Sequence, residues 1–235
     1  MKYSSKLYPN KNILNFLILT LLFLVFSHVQ AALPVPAPPE VAAKNYFVID
    51  FASGKVLAEK NPDEKIEPAS ITKLMTSYVV YKELEAGRLA MDDMVDISEK
   101  AWRMGGSRMY LEVNTSVSVH DLMKGLIVQS GNDASVALAE HIAGTEDAFV
   151  QLMNQYAREL GMDNTNFVNC TGWPDEEHLT TARDIAKLSV AIIKEFPERY
   201  TWHAEKEYTY NSIKQYNRNK LLWRDDSVDG MKTGH

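Results

Sequence analysis

The sequence predicts an α/β domain of the α+β kind, in which strands near both chain ends flank a cluster of helices. Two observations carry this. Runs of β-branched and aromatic residues with turn residues between them lie in residues 45–59 and 206–233, whereas residues 70–196 repeat apolar side chains at helical spacing. No segment repeats another. The strands are expected to form one antiparallel sheet contributed by both ends of the chain.

Residues 45–50 (NYFVID) and 56–59 (VLAE) surround a Ser53-Gly54 turn and predict a hairpin. Residues 70–86 predict a helix with Ile71, Leu74, Met75, Tyr78 and Val79 on one face, stopped by Gly87. A second helix is expected over 119–128, with Ser118 as its N-cap and Asp121 as the capping-box partner. A third covers 133–143 and ends at Gly144, and a fourth covers 146–160 and ends at Gly161. A fifth starts at Thr181, with Asp184 as box partner, and stops before Pro197. Residues 206–210 and 228–233 read as strands.

The 235 residues carry a formal charge of −6. Residues 1–31 hold three lysines and no acid, so the remainder has 22 basic against 31 acidic residues. That balance argues against binding nucleic acid through its phosphates. Lys2, Lys6 and Lys11 precede an apolar run over 13–26, and Val29-Gln30-Ala31 supplies small residues at a cleavage site. This is the pattern of a signal peptide over 1–31. The apolar run is shorter than the ~20 residues that span a bilayer, which favours cleavage over an uncleaved anchor. The protein is therefore expected to be exported. Residues 32–44 begin with ALPVPAPPE and read as a proline-rich tether, leaving 45–235 as the folded domain. Cys170 is the single cysteine, so no internal disulfide forms, and a lone cysteine is more often a packing residue than a nucleophile.

Three short motifs carry chemistry. Ser70 and Lys73 stand at i and i+3 of the first helix, so hydroxyl and amine share a face. A serine hydroxyl needs a base beside it to attack, and lysine serves only if its pKa is lowered. Pro68-Ala69 put Ser70 near a helix N-terminus, where free N–H groups favour developing negative charge. Ser130-Gly-Asn132 lies between two helices and can aim a hydroxyl and an amide at one point, although Gly and Asn are also ordinary turn residues. Lys232-Thr233-Gly234 follows a strand pattern, and its cation, hydroxyl and glycine suit a carboxylate approaching the backbone closely. Each motif alone is equally a surface helix, a turn or a strand end.

Together, in this order, they are the signature of penicillin-binding proteins and serine β-lactamases. The sequence resembles more closely the low-molecular-mass penicillin-binding proteins, the D-alanyl-D-alanine carboxypeptidases of peptidase family S11. The resemblance rests on EPASITKLMT at 67–76, QSGNDA at 129–134, DAFVQLM at 147–153, TARD at 181–184, NRN at 217–219 and VDGMKTGH at 228–235. It runs over about 45–235 and implies a β-lactamase/transpeptidase-like catalytic domain.

The resemblance also implies roles. Ser70 attacks the carbonyl between two terminal D-alanines of a peptidoglycan pentapeptide stem, and Lys73 takes its proton. Ser130 relays a proton to the leaving amine, Asn132 holds the substrate backbone, and Lys232, Thr233 and Gly234 grip its carboxylate. The N–H groups of Ser70 and His235 make the oxyanion hole. β-Lactams become covalent inhibitors, no metal or cofactor takes part, and the expected location is the periplasm. Two lysines converging on one serine predict that Lys73 is neutral at rest, with Lys232 helping to lower its pKa. Many family members carry a histidine where Thr171 stands.

A serine β-lactamase is the alternative, but the residues around Glu176 and Glu177 do not match the loop of its deacylating glutamate. The family continues past Lys-Thr-Gly through further strands and an anchoring helix, on which membrane association depends. The expectation is thus a C-terminally incomplete domain whose last strand is an unpaired edge, poorly folded and nearly inactive alone, or else a non-catalytic penicillin-binding module.

Overall fold

A computed structural model describes Asn12 and residues 40–234. The chain divides into two units, Met1–Glu40 and Val41–His235, and the strands and helices between Tyr46 and Trp223 all lie in the second. The signal peptide, most of the tether and His235 lie outside the described residues.

The hairpin forms as expected: β1 (Tyr46–Ile49) pairs antiparallel with β2 (Val56–Lys60), from Tyr46 opposite Lys60 to Ile49 opposite Val56. A 3₁₀ turn over Ala69–Thr72 leads into α1 (Lys73–Glu85), whose residues from Lys73 to Tyr81 are all buried. A helix buried on every side belongs to the interior. It packs against α4 (Asn132–Ala143), α5 (Glu146–Glu159) and α6 (Ala182–Glu195). The caps read from sequence are present: Ser118 accepts from the Asp121 N–H and Thr181 from the Asp184 N–H.

Several elements were not legible. β3 (Met94–Asp96) pairs antiparallel with β4 (Ser116–Ser118), and α2 (Glu99–Arg103) lies between them in sequence. The expected helix over 119–128 is two pieces, α3 (Val119–Lys124) and a π-helical turn over Gly125–Gln129. The short helix α7 (Pro197–Tyr200) follows α6. β5 (Glu207–Tyr210) is the strand expected over 206–210, but its partner β6 (Ile213–Tyr216) was not expected; the two pair through Asn211 and Ser212, both at positive φ.

The α+β class holds, but the single sheet does not. Among the described residues there are three separate two-stranded antiparallel ladders, and the hairpins from the two ends do not pair with each other. Residues 228–233, expected as a strand, form neither strand nor helix. A strand exists only where a neighbouring strand takes its N–H and C=O groups, and no described strand pairs with this segment. Its ties are made by side chains instead: Asn219 Nδ2 donates to Gly230 O at 2.8 Å, and His203 Nδ1 lies 3.2 Å from Met231 O.

One buried carboxylate organises the loop ahead of α3. Asp133 is 1% exposed and accepts from the N–H groups of Met109 (3.0 Å), Tyr110 (3.0 Å), Leu111 (3.1 Å) and Ala134 (3.0 Å). Asp133→Ala strands buried backbone donors, each costing about 1–3 kcal/mol. Urea unfolding is therefore expected to show a loss of about 3 kcal/mol or more, and Asp133→Asn should not restore it, because its amide NH2 would face two of the four N–H donors.

Candidate active site

Ser70 sits in the 3₁₀ turn, where side chains at i and i+3 eclipse. Lys73, the first α-helical residue, therefore comes beneath it, with Nζ 3.3 Å from Ser70 Oγ. Lys73 is 0% exposed and also donates to Asn132 Oδ1 at 2.7 Å and Thr171 O at 2.6 Å. Burial pushes its ammonium down to about 7, and the Arg218 guanidinium acts in the same direction against the Asp133 carboxylate. An amine with that pKa is substantially neutral near pH 7, as a general base must be.

Ser130 follows the π-helical turn at φ 66°, ψ 37°, so the left-handed backbone turns it off the helix path. Its Oγ is buried and has no hydrogen-bond partner among the described residues. Unpartnered buried hydroxyls are uncommon, and Ser77 Oγ is another among the described residues. Asn132 opens α4 and donates through Nδ2 to Gly105 O at 2.8 Å.

Lys232 is half-buried, with Nζ 3.0 Å from Thr233 O. Burial, then Lys73 and Arg218, lower its pKa to about 7. Lys73 thus acts on Lys232, whereas Lys232 is not among the groups that set the Lys73 pKa. Beside burial, the cation that lowers the Lys73 pKa is Arg218, to which sequence reading assigned no role, and not the expected Lys232. Gly234 closes against the nucleophile turn, since a Cβ there would lie 3.3 Å from Ile71 and 3.4 Å from Pro68 O. Thr233 and Gly234 also line an open cleft of about 830 Å³ with Tyr110, Gln129, Asn217 and Arg218, and Ser70 is not part of its lining.

The loop after Phe167 closes the other side. Thr171 gives Lys73 its backbone carbonyl. Gly172 has φ +83°, and a Cβ there would lie 1.8 Å from Ala69 O and 3.0 Å from Ser70 N. Ala69 itself has φ 46°, a strained conformation for a residue with a side chain. His178 ties the same parts together. Its Nδ1 accepts from the Val168 N–H at 3.0 Å, so the ring hydrogen is on Nε2, which donates to Thr72 Oγ1 at 2.7 Å. Burial lowers the His178 pKa to about 4, keeping the ring neutral. Cys170 is 0% exposed, its thiol is pushed well up by burial, and Sγ faces Glu146 Oε1 at 3.2 Å. It is a packing residue, as expected. Glu176 and Glu177 are exposed.

Arg218, Asn169, Gly172 and His178 escaped sequence reading. Only Arg218 carried a signal, within the Asn217-Arg-Asn219 stretch.

A serine and a buried lysine on one turn, an unpartnered second serine and a Lys-Thr-Gly segment define a penicillin-binding, transpeptidase-like domain. Comparison with known proteins narrows the class. The family model described as D-alanyl-D-alanine carboxypeptidase, Peptidase_S11, matches residues 32–235. The chain belongs to this family. It is 48% identical over 220 residues to D-alanyl-D-alanine carboxypeptidase DacC of Escherichia coli, covering 91% of this chain and 55% of that protein. The chain thus spans about half the length of this curated relative. Penicillin binding protein 5 from Haemophilus influenzae superposes with a TM-score of 0.83 at 48% identity, over 86% of this chain and 60% of that one. Penicillin-Binding Protein D2 from Listeria monocytogenes, in its ampicillin-bound form, gives a TM-score of 0.73 at 28% identity, over 84% and 82% of the two chains.

Gly172→Ala should push Ala69 and Ser70 apart from the loop. The expected outcome is a folded but less stable protein whose reaction with a fluorescent penicillin is slower by about a hundredfold, since a 1 Å displacement costs about that much. Acylation at the wild-type rate would show that the contact is dispensable.

Proposed function

We propose that this chain is the catalytic part of an exported serine D-alanyl-D-alanine carboxypeptidase acting on peptidoglycan pentapeptide stems. Residues 1–31 are its signal peptide, 32–44 a tether and 45–235 the catalytic domain. The observation that carries this reading is the buried Lys73 amine, lowered to about 7 and held 3.3 Å from Ser70 Oγ. The DacC relative bears the name of this activity at 48% identity.

In the proposed reaction, Ser70 Oγ attacks the carbonyl carbon between the two terminal D-alanines as its proton passes to Lys73. The resulting oxyanion lies at the Ser70 N–H, within the 3₁₀ turn, with the His235 N–H as second donor. One such donor contributes ~3–4 kcal/mol in other acyl-transfer enzymes. The C–N bond then breaks, and Ser130, whose hydroxyl has no other partner, passes the proton to the departing D-alanine amine. Lys232 and Thr233 hold the carboxylate of that D-alanine, and Asn132 holds the stem backbone. Water hydrolyses the ester on Ser70 and releases the shortened stem. A β-lactam enters the same acylation and stays attached, in keeping with the ampicillin-bound relative. The proposed location is the periplasm, at the outer face of the inner membrane wherever an anchor follows the domain.

Labelling by a fluorescent penicillin followed by peptide mapping should find the label on Ser70 and none in Ser70→Ala. D-Alanine release from diacetyl-Lys-D-Ala-D-Ala should vanish in Lys73→Arg, because arginine stays protonated. Acylation should rise with pH through about 7, since the unprotonated amine is the base and its fraction grows above the Lys73 pKa. A label on another serine, or Lys73→Arg within tenfold of wild type, refutes the assignment.

A further inference from the structure

A neutral amine has two N–H donors and one lone pair. Lys73 makes two short bonds, 2.7 Å to Asn132 Oδ1 and 2.6 Å to Thr171 O, and one longer approach of 3.3 Å to Ser70 Oγ. With both N–H groups taken by the short bonds, the lone pair is left facing the Ser70 hydroxyl. The Thr171 carbonyl is therefore half of what aims the base. After proton transfer the same carbonyl still accepts from the ammonium.

Nothing regular fixes that carbonyl, because residues 167–178 form neither helix nor strand. Asn169 does so. Its Oδ1 accepts from the N–H groups of Thr171 (3.1 Å), Gly172 (2.8 Å) and Trp173 (3.0 Å) and from Thr171 Oγ1 (3.1 Å). Its Nδ2 donates to Trp173 O at 2.9 Å, closing the loop into a ring around one side chain. The lower edge of the loop is held separately, by Cys170 N donating to Glu146 Oε1 at 3.1 Å and Thr76 Oγ1 donating to Cys170 O at 2.7 Å. Removing the Asn169 carboxamide thus frees residues 171–173 while leaving that edge attached.

We infer that Asn169 is a positioning residue for the acylation step, holding the Thr171 carbonyl where it orients the Lys73 amine toward Ser70. This inference rests on the reading of Ser70 as the acylated serine. The charged and titratable groups around Lys73 are Arg218, Asp133, Lys232 and the Cys170 thiol, and none of them is altered by replacing Asn169.

The test measures the rate of acylation by a fluorescent penicillin, per folded molecule and across pH, in the full-length protein. Wild type, Asn169→Ala and Asn169→Asp are compared, with Ser70→Ala as the blank. Asn169→Ala is expected to slow acylation at neutral pH by about ten- to a hundredfold. Its pH midpoint should move upward, because water reaching Lys73 relieves the burial that lowers its pKa. Asn169→Asp keeps an oxygen for the same four donors and should recover most of the rate well above the midpoint, which its negative charge also shifts upward. A wild-type rate in Asn169→Ala overturns the inference, as does a slower rate at an unchanged midpoint or Asn169→Asp no faster than Asn169→Ala. Wild type as inert as Ser70→Ala is a different result, and it refutes the Ser70 reading itself.

Discussion

Lys73 carries its amine out of water while keeping every polar contact that water would have supplied. Burial lowers its pKa to about 7, and the carboxamide of Asn132 and the carbonyl of Thr171 take its hydrogens. An isolated ammonium in such a place would be costly, and an amine with no acceptors would leave donors unsatisfied. The site meets both demands with neutral oxygens rather than a carboxylate. A carboxylate touching Nζ would have held the lysine protonated and useless as a base. The surrounding architecture follows from keeping this one nitrogen dry, accepted and beside a serine.

Each neighbouring element supplies one part of that arrangement. The 3₁₀ turn over Ala69–Thr72 brings Ser70 above Lys73, and α1 is buried on all sides so that the amine emerges inside the domain. The π-helical turn over Gly125–Gln129 ends in the left-handed Ser130, which places a hydroxyl and the start of α4 at the same point. Asp133 then ties that start to residues 109–111. From the opposite side, Gly172 presses on Ala69, and His178 bridges Val168 to Thr72. Irregular backbone concentrates here, with Ala69 and Ser130 both at positive φ. Strain of this kind persists only where surrounding contacts over-determine it.

The cationic side of the site has a different physical character. Arg218 lines the cleft, and Lys232, next to the cleft-lining Thr233, is lowered to about 7 by burial and by its cationic neighbours. Positive charges held together without a carboxylate between them are complementary to an anionic ligand. A bound carboxylate would relieve their mutual repulsion, so ligand charge and lysine protonation are linked at this site.

The sequence by itself determined what depends on neighbours along the chain. Periodicity located α1 and α4 to α6, Ser118 and Thr181 announced the caps of α3 and α6, and the spacing of Ser70 and Lys73 put two side chains on one face. It also placed the three motifs in an order that identified the family. It failed where structure depends on partners remote in the chain. Residues 228–233 read as a strand because their composition suits one, but a strand is a relation between two segments, and the described residues give this one no ladder. The three-residue strands of β3 and β4 were too short to show a period. In the site, only tertiary structure decided that Thr171, 98 residues from Lys73, supplies its carbonyl, and that His178, 106 residues from Thr72, locks the nucleophile turn. A backbone carbonyl has no residue-type signature, and Asn169 and Gly172 are ordinary loop residues in a linear reading. Their importance arises from a close approach between distant segments, which local spacing does not encode.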